Sequence, residues 1–194
     1  MNFLSHLYLS GESEGLIIGN FIADSVKGSA IYNFSEEVQK GIQLHRKIDT
    51  FTDAHPIVET SKERLRPKYR KYASVIVDIY YDHYLAANWE MYSNLSLHLY
   101  TQNVYSIIEQ NKHTFPLKSQ LFTKYMLEYN ILSAYANLDG IDRVLKGMSR
   151  RASFVSNMEH AIHDLKEHYP LFEQEFKSFF PELQQFVNTE IEIR

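Results

Sequence analysis

The chain has 194 residues, enough for one domain with a substantial core and little more. Hydrophobic residues make up 44% and charged residues 23%, while seven Gly and five Pro leave few of the turns an all-β chain needs. The formal charge of −4 argues against a general binder of nucleic acid or anionic membranes, and the absence of Cys excludes disulfides, thiolate nucleophiles and Cys-ligated metal centres.

Read in chain order, helical periodicity dominates and predicts an all-α fold, a single helical domain over 1–194. The opening residues 1–10, Met-Asn-Phe-Leu-Ser-His-Leu-Tyr-Leu-Ser, are apolar but lack the basic start of a signal peptide, and His6 interrupts them. The expected location is the cytoplasm. No run reaches the roughly 18 apolar residues that cross a bilayer. A short first helix is expected over 2–10 and a second over 13–27, stopped by Gly28. A third starts at Ser35, a suitable N-cap, and runs to Thr52, with His55-Pro56 ending it. Pro56 opens a fourth helix, which Pro67 is expected to close. A fifth covers Tyr69 to Trp89, followed by Leu97 to Gln110, Leu117 to Asn130 and Leu138 to Met148. Ser156 is expected to cap a helix reaching Tyr169, and Pro170 to open a last one, kinked or broken at Phe180-Pro181.

The third helix carries the strongest chemical signal. At about 100° per residue, Val38, Gly41, Ile42, His45, Ile48, Asp49 and Thr52 share one stripe, so His45 and Asp49 lie a turn apart amid apolar neighbours. A buried ionisable pair is costly there without compensation, and a metal ion compensates both members. The fifth helix repeats the pattern: Val75, Asp78, Ile79, Asp82, Leu85, Ala86 and Trp89 form a stripe, with His83 at its edge. Asp78 and Asp82 repel when ionised, so one holds a proton or a cation lies between them and a partner helix. Asn20 with Asp24, and Asn2 with His6, show the same spacing in apolar surroundings. One such pair reads as a core hydrogen bond. Four coincident pairs point to His and Asp projecting inward from several helices, the way a helical domain builds a metal site.

Two other charged segments carry less. Glu159, His160, His163, Asp164, Glu167 and His168 look metal-like by count, but Met158, Ala161, Ile162, Leu165 and Tyr169 take the apolar face and leave the charges on a solvated one. The stretch 62–71 holds Lys62, Arg64, Arg66, Lys68, Arg70 and Lys71 against one Glu63. It reads either as a solvated helix end or as a docking surface for an acidic partner, protein or nucleic acid.

There is no glycine-rich phosphate loop, no His-Glu-x-x-His, no paired Glu-x-x-His and no Gly-x-Ser-x-Gly elbow, which leaves metal-assisted hydrolysis among the enzyme chemistries. At this point longer motifs matter: Asn2-Phe3-Leu4-Ser5-His6-Leu7, Gly19-Asn20-Phe21-Ile22-Ala23-Asp24, Gly41-Ile42-Gln43-Leu44-His45-Arg46-Lys47-Ile48-Asp49, Thr52-Asp53, Asp78 with Asp82-His83, and Gly147-Met148-Ser149-Arg150. In this order the chain resembles the acyl carrier protein phosphodiesterases. The resemblance implies an all-helical fold related to the HD phosphohydrolases, a divalent metal, usually manganese, and removal of the 4′-phosphopantetheine arm from holo acyl carrier protein. It departs from the HD superfamily's His-Asp doublet, because Arg46 follows His45, and Asp49 or Asp24 then takes the missing carboxylate's place.

On that footing Asp24, His45, Asp49 and Asp82 are expected to supply most of the metal shell, with Asp78 in or just behind it. Arg46 and Lys27 would stabilise charge on the phosphate oxygens, and His83 or His6 would protonate the departing serine oxygen. Acyl carrier proteins are strongly acidic, which suits the stretch at 62–71; no nucleic acid or membrane partner is expected. The alternatives are an HD-type phosphohydrolase of a nucleotide or other small phosphoester, and a non-catalytic helical module that binds an acidic protein.

Overall fold

Why the helices fall where they do is visible at their ends. The computed structural model describes residues 1–192, which hold eleven α-helices and no strand. Asn2 caps α1 (Phe3–Tyr8), Ser13 caps α2 (Glu14–Ile22) and Ser35 caps α3 (Glu36–Ala54), each with a side-chain oxygen accepting from a first-turn N–H. Pro56 occupies the first turn of α4 (Pro56–Tyr69), and α5 covers Ala73–Ala87. Further along lie α6 (Leu97–Asn111), α7 (Leu117–Glu128), α8 (Ile131–Ala134), α9 (Leu138–Arg151), α10 (Ala161–Glu167) and α11 (Tyr169–Glu192). Their apolar stripes meet in one continuous core, with Tyr80, Tyr81 and Tyr84 of α5 fully buried against Phe172, Phe176, Phe179 and Phe180 of α11. No helix among the described residues is long and apolar enough to cross a membrane.

Two packing details place the site. The first is a crossing of α2 over α3 at Gly19 and Gly41. A Cβ on Gly19 would lie 2.1 Å from the Val38 carbonyl oxygen, and one on Gly41 would lie 2.5 Å from that of Leu16. Only glycine permits this approach, and it brings Asn20 within reach of His45. The second is the seating of α1 on α5. Asp82 is fully buried and accepts hydrogen bonds from the backbone N–H groups of Leu4, at 2.7 Å, and Ser5, at 3.1 Å. It thereby satisfies first-turn donors that a six-residue helix cannot satisfy itself.

Several expected boundaries move. Pro67 does not close α4, which continues to Tyr69; the buried Tyr69 donates its hydroxyl to Asp164, and that contact carries the last turn past the proline. The chain then turns at Arg70, whose φ of 50° is rare for a side-chain-bearing residue, and α5 starts at Ala73, four residues later than expected. Pro181 lies inside α11 without breaking it, because Phe179, Phe180 and Leu183 are buried around it. After α2 the chain runs through 3₁₀ turns at Ala23–Ser25 and Gly28–Asn33 rather than continuing helical to Lys27. Ser156 does not cap α10: it accepts from the N–H of Met158 just ahead of a 3₁₀ turn whose N-cap is Asn157, and α10 follows that turn. The short α8 was not expected at all.

Candidate metal centre

A cavity of about 650 Å³ opens between α1, α2, α3, α5, α7 and α9. One wall carries His6, Asn20, Asp24, His45, Asp49, Thr52 and Asp78; an apolar wall is formed by Phe3, Phe21 and Phe122, whose rings pack together, and Met148 also lines the cavity. Lys118 and Arg151 also line it.

His45 stands at the centre of the polar wall. Its Nε2 lies 3.1 Å from Asp49 and 3.5 Å from Asp24. Asp49 reaches His6 Nε2 with its other oxygen, also at 3.1 Å, and the two imidazole rings stack with centroids 4.0 Å apart. Behind His45, Asn20 fixes the proton. The Asn20 amide donates to the His6 carbonyl and to Ser10 Oγ, each at 2.9 Å, so its oxygen must accept from His45 Nδ1 at 2.9 Å. That leaves His45 Nε2 facing two carboxylates, a position that needs either a second proton or a cation.

The electrostatics follow. Burial opposes charge on His45, but hydrogen bonds to Asp24 and Asp49 outweigh it and raise its pKa to about 9. Burial, and then the neighbouring charge on His45, lower His6 to about 4, so His6 stays neutral while His45 holds the proton. Asp49 is pushed up by burial yet held far below the usual carboxylate range by hydrogen bonds to both histidines. Asp24 is lowered chiefly by its hydrogen bond with His45. The amino group of Met1 lies 3.0 Å from Asp78, whose pKa is raised by burial against that partner's pull.

The cluster fits a divalent cation. Donor atoms of His6, His45 and Asp49 lie within 4.8 Å of one another, and Asp24 adjoins them through His45. His6 Nδ1 and Thr52 Oγ1 are buried atoms with no hydrogen-bond partner among the described residues. Imidazole and carboxylate donors suit Mn, Fe, Zn or Mg.

Of the residues singled out by sequence, the structure brings together His6, Asp24, His45 and Asp49, with Asp78 on the same wall. Asp82 is not among them: its oxygens are occupied by α1, and burial, opposed by the Ser5 hydroxyl, raises its pKa to about 6. His83 points elsewhere, with Nδ1 on the Tyr135 carbonyl at 2.8 Å and Nε2 on the Tyr169 hydroxyl at 2.9 Å. Arg46 donates to the Val26 carbonyl at 3.0 Å and does not line the cavity; Lys27 does not line it either. Lys118 and Arg151 were missed, since nothing in their local sequence links them to the distant helices that carry His6, Asp24, His45 and Asp49.

The basic stretch is mostly consumed inside the fold. Lys62 is buried and pairs with Glu59 at 3.3 Å and Asp53 at 3.6 Å, and Arg64 clasps Glu175 at 2.6 and 2.9 Å. Arg66 pairs with Glu59, and Lys68 with Asp164 at 2.6 Å. His160, His163 and Glu167 are exposed, as their pattern predicts, but Asp164 is buried, because Lys68 and Tyr69 of α4 both reach it.

These features define an all-helical protein with a His/Asp centre suited to a divalent cation. The chain belongs to the acyl carrier protein phosphodiesterase family, whose sequence profile matches residues 1–183. It is 34% identical over 186 residues to a protein of Photorhabdus laumondii named acyl carrier protein phosphodiesterase, covering 95% of this chain and 94% of that one. A protein of the same name from Pectobacterium atrosepticum is 31% identical over 98% of this chain and 99% of its own. One from Yersinia enterocolitica is 32% identical, covering 93% and 94%. No solved structure matches the chain.

Proposed function

We propose that this protein is a metal-dependent phosphodiesterase that hydrolyses holo acyl carrier protein to apo acyl carrier protein and 4′-phosphopantetheine. The observation that carries the reading is the joining of His6, His45, Asp24 and Asp49 on one cavity wall in a chain of this family. In the reaction the oxygen of water attacks phosphorus, the bond from phosphorus to the carrier's serine oxygen breaks, and that oxygen takes up a proton. A divalent cation held by these four residues supplies Lewis acidity towards the phosphate and makes water a stronger acid; manganese is the choice the family resemblance favours.

The chain's own residues have separate tasks. Asn20 holds a proton on His45 Nδ1, keeping Nε2 directed at the carboxylates. Asp49 bridges the two imidazoles and fixes their spacing. Lys118 and Arg151, in the place expected for Arg46 and Lys27, offer positive charge to the non-bridging phosphate oxygens. Of the two histidines considered for proton delivery, His83 is turned away from the cavity and His6 belongs to the cation cluster, so neither is assigned that role. The apolar wall of Phe3, Phe21 and Phe122 excludes water from one side of the arm.

The test is mass spectrometry of holo acyl carrier protein incubated with this protein and Mn²⁺, with a chelator control. Chelator-sensitive conversion to the apo mass is expected. A preparation that binds Mn²⁺ and leaves the holo mass unchanged would overturn the reading.

A further inference from the structure

Resting on the phosphodiesterase reading, we infer that the acidic carrier protein docks on the cavity rim where the turn at 70–72 meets the loop at 152–157, and not on α4. The α4 cations Lys62, Arg64, Arg66 and Lys68 each have an internal carboxylate partner, so that helix offers an incoming protein little uncompensated charge. What remains positive lies further along. Lys71 is exposed, and its Nζ stands 4.1 Å over the Phe154 ring rather than against a carboxylate. Arg151 and Lys118 are exposed residues that also line the cavity.

The same segment carries two protruding apolar side chains. Phe154 is 68% and Val155 88% exposed, whereas their neighbours Ser156 and Met158 are buried. Tyr72, which lines the cavity, donates its hydroxyl to the Phe154 carbonyl at 3.4 Å, so the loop is tied to a residue of the cavity wall. Cations interleaved with protruding apolar side chains suit an acidic helix with an apolar stripe. The placement also meets a geometric demand of the reaction: the carrier stays outside while its serine-linked arm enters, so its surface must rest where the cavity opens. The turn at Arg70, with φ of 50°, ends α4 at Tyr69, and Lys71 and Tyr72 follow it outside that helix.

Fluorescence anisotropy of labelled apo acyl carrier protein tests this, because the apo form lacks the arm and reports docking without cleavage. The double variant Lys71→Glu with Phe154→Ser is expected to bind about tenfold more weakly than the unaltered protein, and more so as salt is lowered around the reversed charge. Arg66→Glu, on α4, is expected to leave binding within about twofold. Circular dichroism and melting of each variant establish that the fold is kept. Equal binding by the double variant, or a loss confined to Arg66→Glu, would overturn the surface. Conversion of holo carrier by the unaltered protein separates the two ideas. Conversion with no effect of the rim variant sinks the surface alone, docking without conversion sinks the phosphodiesterase reading alone, and neither docking nor conversion sinks both.

Discussion

Helices α3 and α5 look alike in sequence and do different work. Each bears an i,i+4 pair of ionisable residues on an apolar stripe, His45 with Asp49 in one and Asp78 with Asp82 in the other. On α3 both members turn into the cavity and face each other across 3.1 Å, with a second histidine stacked on the first. On α5 the pair is split: Asp78 looks into the cavity, while Asp82 is sealed beneath α1 and spends its oxygens on backbone N–H groups. A buried carboxylate is tolerated where its charge is compensated, and the N–H groups of a helix N-terminus can supply part of that compensation in place of a cation. The pattern alone does not say which.

The comparison can be broken most sharply at α3. Asp49→Ala is expected to abolish tight Mn²⁺ binding and lower turnover of holo carrier protein by about a thousandfold, with a cooperative melt retained. Isothermal titration with Mn²⁺ and the mass-spectrometric assay read the two effects. Near-normal turnover would place the chemistry elsewhere. At α5 the expected signature is the reverse. Asp82→Ala strands the Leu4 and Ser5 donors and costs about 2 kcal/mol in denaturant unfolding, while Mn²⁺ affinity of the folded protein stays close to that of the parent. A loss of metal binding without a loss of stability would return Asp82 to the ligand set. The smallest effect belongs to His83, beside Asp82. Burial lowers its pKa below that of the unfolded chain, so its contribution to stability is present above pH about 6.5 and declines as pH falls below that value. In urea titrations His83→Gln should therefore flatten the acid-side decline; a slope as steep as the parent's would show that other groups set it.

Much of the site could be read from the chain because its parts are local. The stripe of α3 places His45 and Asp49 together by helical geometry alone, and the capping serines mark where α2 and α3 begin. The rest depended on partners far away in sequence. Lys68 and Arg64 read as a free basic face until Asp164 and Glu175, on α10 and α11, are seen to neutralise them. Pro67 and Pro181 carry the local chemistry of helix ends, yet buried neighbours hold both helices together through them. Asn20 was visible as a polar residue in an apolar run, but its role in setting the His45 tautomer needed the Gly19–Gly41 crossing that brings α2 onto α3.

The seating of α1 on Asp82 also bears on how the centre assembles in time. The α2–α3 crossing joins residues some twenty positions apart, so His45, Asp49 and Asn20 can meet early in folding. His6 is held from two sides: its carbonyl accepts from Asn20, 14 residues on, while the start of its helix is fixed on Asp82 through hydrogen bonds that span 77 and 78 residues, and a loop of that length closes slowly. His6 can thus join the α2–α3 cradle by a local contact, and the seat of α1 on Asp82 is the link that closes last, so the amides of Leu4 and Ser5 should exchange with solvent sooner than those of α3.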